Sequence, residues 1–366
     1  MKAIVLVGGE GTRLRPLTYT TPKPLLPIAN VAFLERQLSW LASHGVDEVV
    51  LSLGYLPDAF AAHFPSGRAG DVKLTYAVEP EPLGTAGGIR FAAEHAAIDD
   101  RFVVCNGDVL TELDLTAMLR FHAERGAEAT IALCRVEDPS AFGVVPTLPT
   151  GEVIAFVEKP PPGHAPTNWI NAGTYVLEPS ILDRVPPRLN VSIERETFPR
   201  MLEHPGNLFA LQSDAYWIDI GTPEKYLEAH RDVLTGSVGL PPVVAATEVA
   251  PGVWHQGSVR VDAGARIEAP ALLGDGAAVG PGSTVAGSVL GAGAVVESGA
   301  HVIRSVVLDD ARLASGTEVV DAVIGRGALL EAEATATDLS VIGAGAVVAA
   351  GSKLSGARVP PPGVQV

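Results

Sequence analysis

The N-terminal segment of the chain runs Met1-Lys-Ala-Ile-Val-Leu-Val-Gly-Gly-Glu-Gly-Thr-Arg-Leu-Arg-Pro-Leu-Thr18 and continues to Pro22-Lys-Pro-Leu-Leu-Pro27. Its apolar residues 3–7 predict a buried strand. Three glycines follow, and a glycine-rich turn after a strand lets backbone N–H groups close on phosphate oxygens because no Cβ intervenes. Arg13, Arg15 and Lys23 add three cations to the same short segment. The segment therefore predicts a binding site for a triphosphate.

Two better-known phosphate loops do not fit these letters. A Walker loop ends in Gly-Lys-Ser/Thr, whereas Gly11 is followed by Thr12-Arg13. A dinucleotide-binding fingerprint needs a third glycine where Leu14 stands. A plain strand and turn with surface arginines is the alternative, and the Pro-Lys-Pro segment in register with the glycines argues against it.

Composition limits the classes of partner. The chain has 366 residues and a formal net charge of −16, which argues against a nucleic acid or an anionic membrane as the main partner. No apolar run is long enough to span a bilayer, and no signal peptide is recognised, so we expect a cytoplasmic protein. Two cysteines, Cys105 and Cys134, predict neither a disulfide framework nor a metal cluster.

The first two-thirds of the chain alternate β-rich runs with helical patterns. Such alternation predicts an α/β fold with a Rossmann-like, mostly parallel sheet and helices on both faces. Ligands of such sheets bind beyond the carboxyl ends of the strands. The glycine turn and Asn106-Gly107-Asp108 follow two predicted strands at such ends. The predicted strands are residues 3–7, 48–53, 74–78, 102–105, 130–135 and 153–157, and the clearest helices are residues 33–44 and 115–125.

The last third of the chain repeats an apolar residue every six positions, with glycine and alanine between, and the repeat shifts by one residue at Leu290, Leu313 and Ile324. Three such residues per coil predict a triangular prism of short strands, a left-handed parallel β-helix of hexapeptide repeats. Four similar lines are headed by Leu290, Leu308, Ile324 and Ile342. A disordered tail is the alternative, but disorder would not keep this period. The repeated positions are Val261, Ile267, Leu273, Val279, Val285, Leu290, Val296, Val302, Leu308, Leu313, Val319, Ile324, Leu330, Ala336, Ile342, Val348 and Leu354.

These patterns divide the chain into three parts. Residues 1–235 are predicted to form the catalytic α/β domain, residues 236–255 a linker around Pro241-Pro242, and residues 256–366 the β-helix. The β-helix lacks a rich polar or histidine set, so we expect it to serve assembly into a homo-oligomer or regulation. Acyltransferase chemistry with His301 as base is the alternative for this part.

Residues 1 to about 235 resemble the sugar-nucleotide pyrophosphorylases, which join a nucleoside triphosphate to a sugar 1-phosphate. The resemblance rests on Gly-x-Gly-Thr-Arg-Leu-x-Pro-Leu-Thr and Pro-Lys-Pro, and it continues along this whole stretch. It implies that the glycine turn binds the triphosphate through Gly8, Gly9, Gly11, Thr12 and Arg13. It also implies that Lys23 contacts phosphates at the reacting centre.

The resemblance implies a metal and a sugar phosphate as well. Asp108 and Asp219 match the family's metal aspartates, so the expected cofactor is Mg²⁺. Either aspartate alone would be an ordinary turn residue. Phe156-Val-Glu-Lys-Pro160 resembles the sugar-phosphate strand, where Lys159 would pair with the phosphate. The predicted catalytic residues are Arg13, Lys23, Asp108 and Lys159, and the predicted sugar-phosphate residues are Gly143, Glu158, Lys159, Asn171 and Gly173.

The resemblance also places a base-reading segment at Glu79-Pro-Glu-Pro-Leu-Gly-Thr-Ala-Gly87. Glu79 would face the pairing edge of the base, with Gly84 and Thr85 beside the base and ribose. A carboxylate only accepts hydrogen bonds. Guanine offers two adjacent donors, whereas uracil and thymine offer one, so Glu79 favours GTP. Glu81 is the alternative base reader.

Ser192-Ile-Glu-Arg-Glu-Thr-Phe-Pro199 is most similar to the mannose-1-phosphate guanylyltransferase branch, and chemically it predicts only a helix start. The function expected from this resemblance is Mg²⁺-dependent in-line transfer from GTP to α-D-mannose 1-phosphate, giving GDP-mannose and pyrophosphate. One alternative is another sugar 1-phosphate, such as glucose 1-phosphate with dTTP or UTP. The other is a non-catalytic regulatory homologue that binds a nucleotide sugar.

Overall fold

The computed structural model describes residues 1–239 and 245–364. The described residues pack into two compact units. Unit 1 comprises Met1–Gly9 and Leu34–Ile218, and unit 2 comprises Glu10–Phe33 and Asp219–Val366. The segment after the second glycine therefore groups with the C-terminal part of the chain. The bounds predicted from sequence, 1–235, 236–255 and 256–366, remain a prediction.

The secondary structure of residues 1–239 follows in chain order. The strands are β1 (Lys2–Leu6), β2 (Pro27–Ile28), β3 (Val31–Ala32), β4 (Glu48–Leu53), β5 (Arg68–Ala69), β6 (Val72–Val78), β7 (Phe102–Asn106), β8 (Val109–Thr111), β9 (Ala129–Arg135), β10 (Gly143–Val144), β11 (Val157–Glu158), β12 (Trp169–Leu177), β13 (Leu208–Ser213) and β14 (Trp217–Asp219). The α-helices are α1 (Phe33–Ser43), α2 (Pro57–His63), α3 (Gly84–His95), α4 (Leu115–Arg125), α5 (Phe198–Met201) and α6 (Pro223–Thr235). Shorter turns of helix are Thr12–Leu14, Leu17–Tyr19, Lys23–Leu25, Pro139–Ala141, Pro179–Arg184 and the π-helical turn Ile193–Thr197.

The sheet of unit 1 has the strand order β11-β10-β12-β7-β1-β4-β6-β5, with β9 beside β12 and β13 beside β9. Strands β7, β1, β4 and β6 are parallel to their neighbours in this group, which confirms the predicted mostly parallel sheet. Strand β12 runs antiparallel to both β7 and β9. The sheet core is rich in large side chains, among them the fully buried Phe102, Tyr175 and Phe198. Burial of such a side chain contributes about 1.5–3 kcal/mol.

Most elements lie where the sequence predicts them. The predicted strand 48–53 and helix 115–125 have the observed bounds, and the predicted strands 3–7, 74–78, 102–105 and 130–135 agree within one or two residues. The prediction of a strand at 153–157 is wrong, because only Val157–Glu158 belongs to a strand and Val153 forms an isolated bridge with Thr147. The run contains the exposed Ile154, so its apolar letters do not mark a buried strand.

The described strands after α6 are β15 (Ala246–Ala250), which pairs antiparallel with β16 (Val253–Gln256), and the strands of the parallel β-helix. After β16 they are β17 (Arg260–Val261), β18 (Arg266–Leu273), β19 (Ala278–Val279), β20 (Thr284–Leu290), β21 (Val295–Val296), β22 (His301–Ile303), β23 (Val306–Val307), β24 (Arg312–Leu313), β25 (Glu318–Val320), β26 (Val323–Ile324), β27 (Leu329–Leu330), β28 (Thr335–Thr337), β29 (Val341–Ile342), β30 (Val347–Val348), β31 (Lys353–Ser355) and β32 (Arg358–Val359). Pro241-Pro242, at the centre of the predicted linker, lies outside the described residues, whereas β15 and β16 occupy the linker's second half.

The coils of the β-helix stack in parallel register. Val285 pairs with Val302, which pairs with Val319 one coil further on. The buried core of the repeat contains most of the aliphatic residues at the predicted repeat positions, together with alanines that lie between the strands. Two positions depart from the prediction. Val261 is 39% exposed, and Leu290 is followed in register by Val307 instead of Leu308, because Leu308 stands just beyond the end of β23.

Residues 10–33 are joined to α6 and to the β-helix within unit 2. Tyr226 in α6 donates its hydroxyl to the carbonyl of Pro27 at 2.6 Å, and His230 accepts the backbone N–H of Ala29 at 3.2 Å. The side-chain amide of Asn30 donates to Gln256 Oε1 at 3.0 Å and to the carbonyl of Leu290 at 2.9 Å. The Pro-Lys-Pro segment is thus anchored to the β-helix through the β2–β3 hairpin.

Candidate active site

The glycine turn leaves the carboxyl end of β1 in close contact with two neighbouring strand ends of unit 1. A Cβ on Gly54 would lie 2.9 Å from the carbonyl oxygen of Gly8. The N–H of Gly107 donates to the carbonyl of Leu6 at 2.9 Å, and a Cβ at Gly107 would lie 2.5 Å from Val7 Cγ1. These close approaches place Asp108 just beyond the carboxyl end of β7, beside the end of β1.

The second half of the turn belongs to unit 2. Gly11 has φ +62°, and a Cβ there would lie 2.9 Å from Thr18 Cγ2 and 3.1 Å from Lys23 Cβ. The Thr18 hydroxyl donates to the Gly11 carbonyl at 2.9 Å. A glycine is therefore required at this position, both for the backbone conformation and for the space. The turn Thr12–Leu14 follows directly and carries Arg13.

Asp219 lies between two of the predicted cations in unit 2. Its carboxylate is 3.8 Å from Arg13 Nη2 and 3.6 Å from Lys23 Nζ. Lys23 is nearly buried, with 10% of its side chain exposed, whereas Arg13 is 63% exposed. A Cβ on Gly221 would lie 2.5 Å from Arg13 Nη2, so a glycine is needed there for the guanidinium to approach. We name these three charged residues the phosphate-side cluster. Arg15, by contrast, pairs with Glu10 at 2.6 Å.

The two aspartates predicted to bind metal fit Mg²⁺ by their chemistry. In the described ranges, no group of three or more histidine, cysteine, aspartate or glutamate side chains could hold a metal ion. Mg²⁺ does not need such a group, because it is commonly held by one or two carboxylates together with substrate phosphates and waters. Asp108, which is partly buried, and Asp219 offer such carboxylates.

The carboxylate of Glu79, the predicted base-reading residue, accepts two hydrogen bonds from within the protein. Its Oε1 accepts the Ser52 hydroxyl at 2.8 Å, and its Oε2 accepts the Leu83 N–H at 3.0 Å. Each carboxylate oxygen has a second lone pair, so Glu79 keeps acceptor capacity for a base. Glu81, the alternative reader, instead lines a cavity of about 350 Å³ with Arg90 and Phe91. Sequence patterns did not predict the clasp between Glu79 and Ser52.

A cavity of about 540 Å³ in unit 1 contains most of the predicted sugar side, and we name it the sugar-side cavity. Its lining residues are Gly143, Phe156, Val157, Glu158, Asn171, Ser192, Glu194, Arg195 and Pro199. Three of them, Gly143, Glu158 and Asn171, were predicted to bind the sugar phosphate. A Cβ on Gly143 would lie 3.2 Å from Glu158 Oε2, so the small residue leaves room for that carboxylate.

Lys159 and Gly173 are placed differently from the lining residues. Lys159 is exposed, has φ +46°, and donates its backbone N–H to the Phe142 carbonyl at 3.0 Å. Its side chain is not part of the cavity wall. Gly173 has φ +70°, and a Cβ there would lie 2.6 Å from Asn106 Nδ2. Gly173 thus allows the shift in pairing register between β12 and β9 that occurs between Asn171 and Tyr175.

Thr85 is occupied by contacts within the protein. Its hydroxyl donates to Glu194 Oε2 at 2.7 Å and accepts the N–H of Ile193 at 2.8 Å. Gly84 has φ +70°, and a Cβ there would lie 2.6 Å from the Val191 carbonyl oxygen. The predicted nucleotide segment is therefore packed against the turn that carries Glu194.

Sequence reasoning missed the role of Ser192, Glu194 and Arg195 in the cavity wall. The Ser192 hydroxyl accepts the Arg195 N–H at 3.2 Å, which confirms a helix start. A π-helical turn follows and directs Glu194 and Arg195 into the wall. Such turns are rare and occur frequently at functional sites. The only available signal was the Ser-Ile-Glu-Arg-Glu motif, which has no periodicity.

The two cysteines and His301 are not among the residues of the phosphate-side cluster or the lining residues of the sugar-side cavity. Both cysteines are buried and unpaired by disulfide, and burial raises the pKa of each thiol to about 12. His301 is exposed on β22, in register with Thr284 and Glu318. Across the described residues, no helix has the length and apolar character needed to cross a membrane.

Unit 1 has a mostly parallel sheet with a glycine turn at its strand ends, an arrangement typical of nucleotide-binding enzymes. Comparison with known sequences agrees. The profile of the nucleotidyl transferase family matches residues 2–236, and that of the GlmU-like C-terminal hexapeptide matches residues 259–337. The chain therefore belongs to the nucleotidyl transferase family and is a transferase of the EC 2.7.7 type, with a hexapeptide-repeat domain after the catalytic part.

Two relatives and one solved structure illustrate the similarity. The mannose-1-phosphate guanylyltransferase of Mycobacterium tuberculosis is 41% identical over 292 residues, which are 78% of either chain. A UTP–glucose-1-phosphate uridylyltransferase of Synechocystis is 33% identical over 319 residues, covering 78% of this chain and 81% of that protein. The crystal structure of HddC from Yersinia pseudotuberculosis is 31% identical with a TM-score of 0.56, over 63% of this chain and 98% of that one.

Proposed function

We propose that this protein transfers a guanylyl group from GTP to α-D-mannose 1-phosphate and releases pyrophosphate. The observation that carries the proposal is the sugar-side cavity, in which Glu158 and Asn171 offer polar groups to a sugar. The names of several relatives at about 40% identity, from Mycobacterium tuberculosis and Arabidopsis thaliana among others, support mannose 1-phosphate and GTP as the substrates.

The reaction is an in-line displacement at the α-phosphorus of GTP. A phosphate oxygen of mannose 1-phosphate forms the new P–O bond while the bond to the departing pyrophosphate breaks. No general base is needed, because the attacking phosphate is already ionised. Catalysis therefore consists of positioning and of stabilising the charge that develops.

The charged residues have different proposed roles in this positioning and charge stabilisation. Arg13 and Lys23 would neutralise the departing pyrophosphate, with Lys23 nearer the reacting phosphorus, and Lys159 would pair with the attacking phosphate. Asp108 and Asp219 would hold Mg²⁺, which supplies charge neutralisation on the phosphate oxygens when bound. The proximity of Arg13 and Lys23 to Asp219 supports their use with the same ligand.

Glu79 would select the base in this scheme. Its carboxylate can accept from both adjacent donors of guanine, a discrimination worth about 1–3 kcal/mol. Gly8 and Gly9 would approach the triphosphate with their backbone, together with Gly11 and Thr12. Gly9 has open space where a Cβ would stand, and that space would let a phosphate approach its backbone.

A matrix of triphosphates against sugar 1-phosphates tests the proposal. Purified full-length protein is assayed for pyrophosphate release with GTP, UTP, dTTP and ATP, each against mannose 1-phosphate and glucose 1-phosphate, with and without Mg²⁺. We expect the highest kcat/KM for GTP with mannose 1-phosphate and no turnover without Mg²⁺. A preference for UTP or dTTP with glucose 1-phosphate would overturn the proposal and favour the reaction named for the Synechocystis relative. No turnover with any pair would favour a regulatory homologue.

The β-helix is proposed to join copies of the chain into a homo-oligomer. The flat faces and coil ends of its stacked strands, which offer natural contacts between subunits, support this proposal. Light scattering of the full chain should give a multiple of the 37.9 kDa chain mass. A monomer would contradict the assembly role. Acyl transfer by His301 remains the alternative use of this domain, and an acyl-donor assay with His301→Ala would test it.

A further inference from the structure

The wall of the sugar-side cavity contains a directed chain of hydrogen bonds. Asn171 Nδ2 donates to the Tyr175 hydroxyl at 2.9 Å. The Tyr175 hydroxyl donates to Glu194 Oε1 at 3.1 Å. At the other end, Asn171 Oδ1 accepts the N–H of Gly173 at 2.9 Å. Asn171 and Glu194 both line the cavity, whereas Tyr175 is fully buried behind them.

The direction of this hydrogen-bond chain is set by groups that can only accept or only donate. An ionised carboxylate can only accept, so the Tyr175 hydroxyl must donate its single proton to Glu194. The Tyr175 oxygen is then left to accept, and it takes an N–H of Asn171. The backbone N–H of Gly173 can only donate, so it requires the carbonyl oxygen of Asn171 on its side. Both ends thus impose the same orientation on the Asn171 amide.

The second oxygen of Glu194 is held just as firmly. Glu194 Oε2 accepts the hydroxyls of Thr85 at 2.7 Å and Ser192 at 2.9 Å. Glu194 therefore receives three O–H donors. Burial, and next the charge of Glu194, raise the pKa of Tyr175 well above its usual value. The hydroxyl consequently keeps its proton, and the direction of the chain is stable.

We propose that Glu194 is the positioning residue that sets the hydrogen-bond polarity of the sugar-side cavity. Through Tyr175 it leaves the second N–H of Asn171 as a donor available to the ligand, in a cavity that also contains the acceptor carboxylate of Glu158. The cavity then selects a sugar that presents an acceptor oxygen to Asn171 and a hydroxyl donor to Glu158. This inference rests on the proposed function only in taking a sugar 1-phosphate as the ligand.

Glu194→Gln tests the proposal because glutamine has one acceptor oxygen and one donor group. It cannot accept both from Tyr175 and from Thr85 and Ser192. When its oxygen faces the two hydroxyls, its N–H₂ faces Tyr175, which must then accept and turn its proton towards Asn171. The Asn171 amide would have to reverse, which removes the donor from the ligand and the bond to Gly173.

We expect Glu194→Gln to raise the KM for the sugar 1-phosphate about tenfold, the size of one hydrogen bond, with the KM for the triphosphate within about twofold. The ratio of kcat/KM between mannose 1-phosphate and glucose 1-phosphate should change as well. Tyr175→Phe removes the acceptor of one Asn171 N–H and should raise the sugar KM in the same direction but by less, because the Gly173 N–H still holds the Asn171 oxygen. In that background, Glu194→Gln should add less than about a twofold effect, because the two residues act in series.

Glu196→Gln is the matched control, since it removes a charge from the same π-helical turn. Glu196 Oε1 accepts the Ser192 N–H at 3.1 Å, and a glutamine oxygen can still do so. We expect unchanged KM values for this variant. Thermal unfolding of all variants shows whether the fold is retained.

Two results would overturn the inference: sugar KM values unchanged in both Glu194→Gln and Tyr175→Phe, or fully additive effects in the double variant. A parallel rise of both KM values would also overturn it, because it would indicate a general structural role. If the wild-type protein prefers another sugar 1-phosphate in the substrate matrix, the proposed substrate fails. The same KM split would then be measured with that sugar, so the two failures are distinguishable.

Discussion

The phosphate-side cluster and the sugar-side cavity hold their functional groups in different ways. In the cluster, Asp219 faces Arg13 and Lys23 at 3.8 and 3.6 Å, which is beyond a normal hydrogen bond. In the cavity, Glu194 accepts bonds of 2.7 to 3.1 Å from groups on three separate segments. The two contacts of Asp219 are charge–charge contacts, whereas those of Glu194 are short, directional hydrogen bonds.

The difference corresponds to the chemistry proposed for each side. Phosphates and Mg²⁺ carry large charges, and charge interactions depend on distance and screening more than on angle. Sugar hydroxyls are neutral, and they are distinguished only by the positions of donors and acceptors. A cavity that must recognise them needs preorganised partners. The comparison predicts large effects on turnover from the cluster and smaller, substrate-specific effects from the cavity.

The largest effect is expected from Asp219. Asp219→Asn retains the shape but removes the charge that faces Arg13 and Lys23 and that would hold Mg²⁺. We expect kcat to fall about 10³-fold, equivalent to about 4 kcal/mol of transition-state stabilisation. Steady-state kinetics over a range of Mg²⁺ concentrations measures this. Asp214→Asn, which removes an exposed carboxylate paired with Arg135, is the control. Near-normal turnover in Asp219→Asn would show that the metal is held elsewhere.

The two cations of the cluster should differ from each other. Lys23 is nearly buried and Arg13 is mostly exposed, and a charge interaction is weakened by solvent screening. We therefore expect Lys23→Met to lower kcat about 10²-fold and Arg13→Met only about tenfold. The residual activity of Arg13→Met should also depend less on salt than that of the wild type. The reverse order of the two variants would contradict the role given to burial.

Sequence patterns predicted the regular parts of both units. Hydrophobic runs located β1, β4, β7 and β9, because each lies in the buried interior of a sheet. The six-residue period located the β-helix, because most of its strands supply a core side chain at a repeated position. The period could not separate Val307 from Leu308, since two adjacent apolar residues satisfy it equally and only the pairing register chooses.

The candidate site was predictable only where it resembles a motif. Gly11 and Gly107 are required by close contacts, and their presence within the motifs is visible in the sequence. The bond between Thr85 and Glu194 joins residues 109 positions apart, and no local pattern encodes such a pair. The exposure of Lys159 and the clasp of Glu79 by Ser52 likewise depend on how separate segments pack.

Glu79 tests the distinction between charge-based and hydrogen-bond-based sites. It is predicted to bind the nucleotide, but its short bonds to Ser52 and Leu83 are like those of the cavity. Glu79→Gln should reduce the preference for GTP over dTTP by about 1–3 kcal/mol in relative kcat/KM, since the amide can no longer accept from two guanine donors. Glu81→Gln is the matched control and tests the alternative reader. An equal loss of activity with both triphosphates would assign Glu79 to holding the loop. A change of preference in Glu81→Gln alone would transfer the role to Glu81.

A substitution of Asn30 tests whether the segment that carries Lys23 is stabilised by its hydrogen bonds to the β-helix. Its amide bonds to Gln256 and to the Leu290 carbonyl connect the segment that carries Lys23 to the β-helix. Asn30→Ala should lower the free energy of unfolding by about 1–2 kcal/mol, the sum of two neutral hydrogen bonds. Urea unfolding measures the change. Gln256→Ala keeps the bond from Asn30 to the Leu290 carbonyl and should also lower the stability; an unchanged stability in Asn30→Ala would contradict the anchoring role.

The smallest effect is expected for pH at Tyr175. Burial, followed by the nearby charge of Glu194, raises the pKa of Tyr175 well above its ordinary value of about 10. Because the raised pKa keeps the proton bound in the folded state, the chain from Asn171 to Glu194 should stay intact as pH rises from about 7.5 to about 9.5. The KM for the sugar 1-phosphate should change less than about twofold over this window. A larger rise that disappears in Tyr175→Phe would show that the hydroxyl ionises, and the cavity would then be no less sensitive to charge than the cluster.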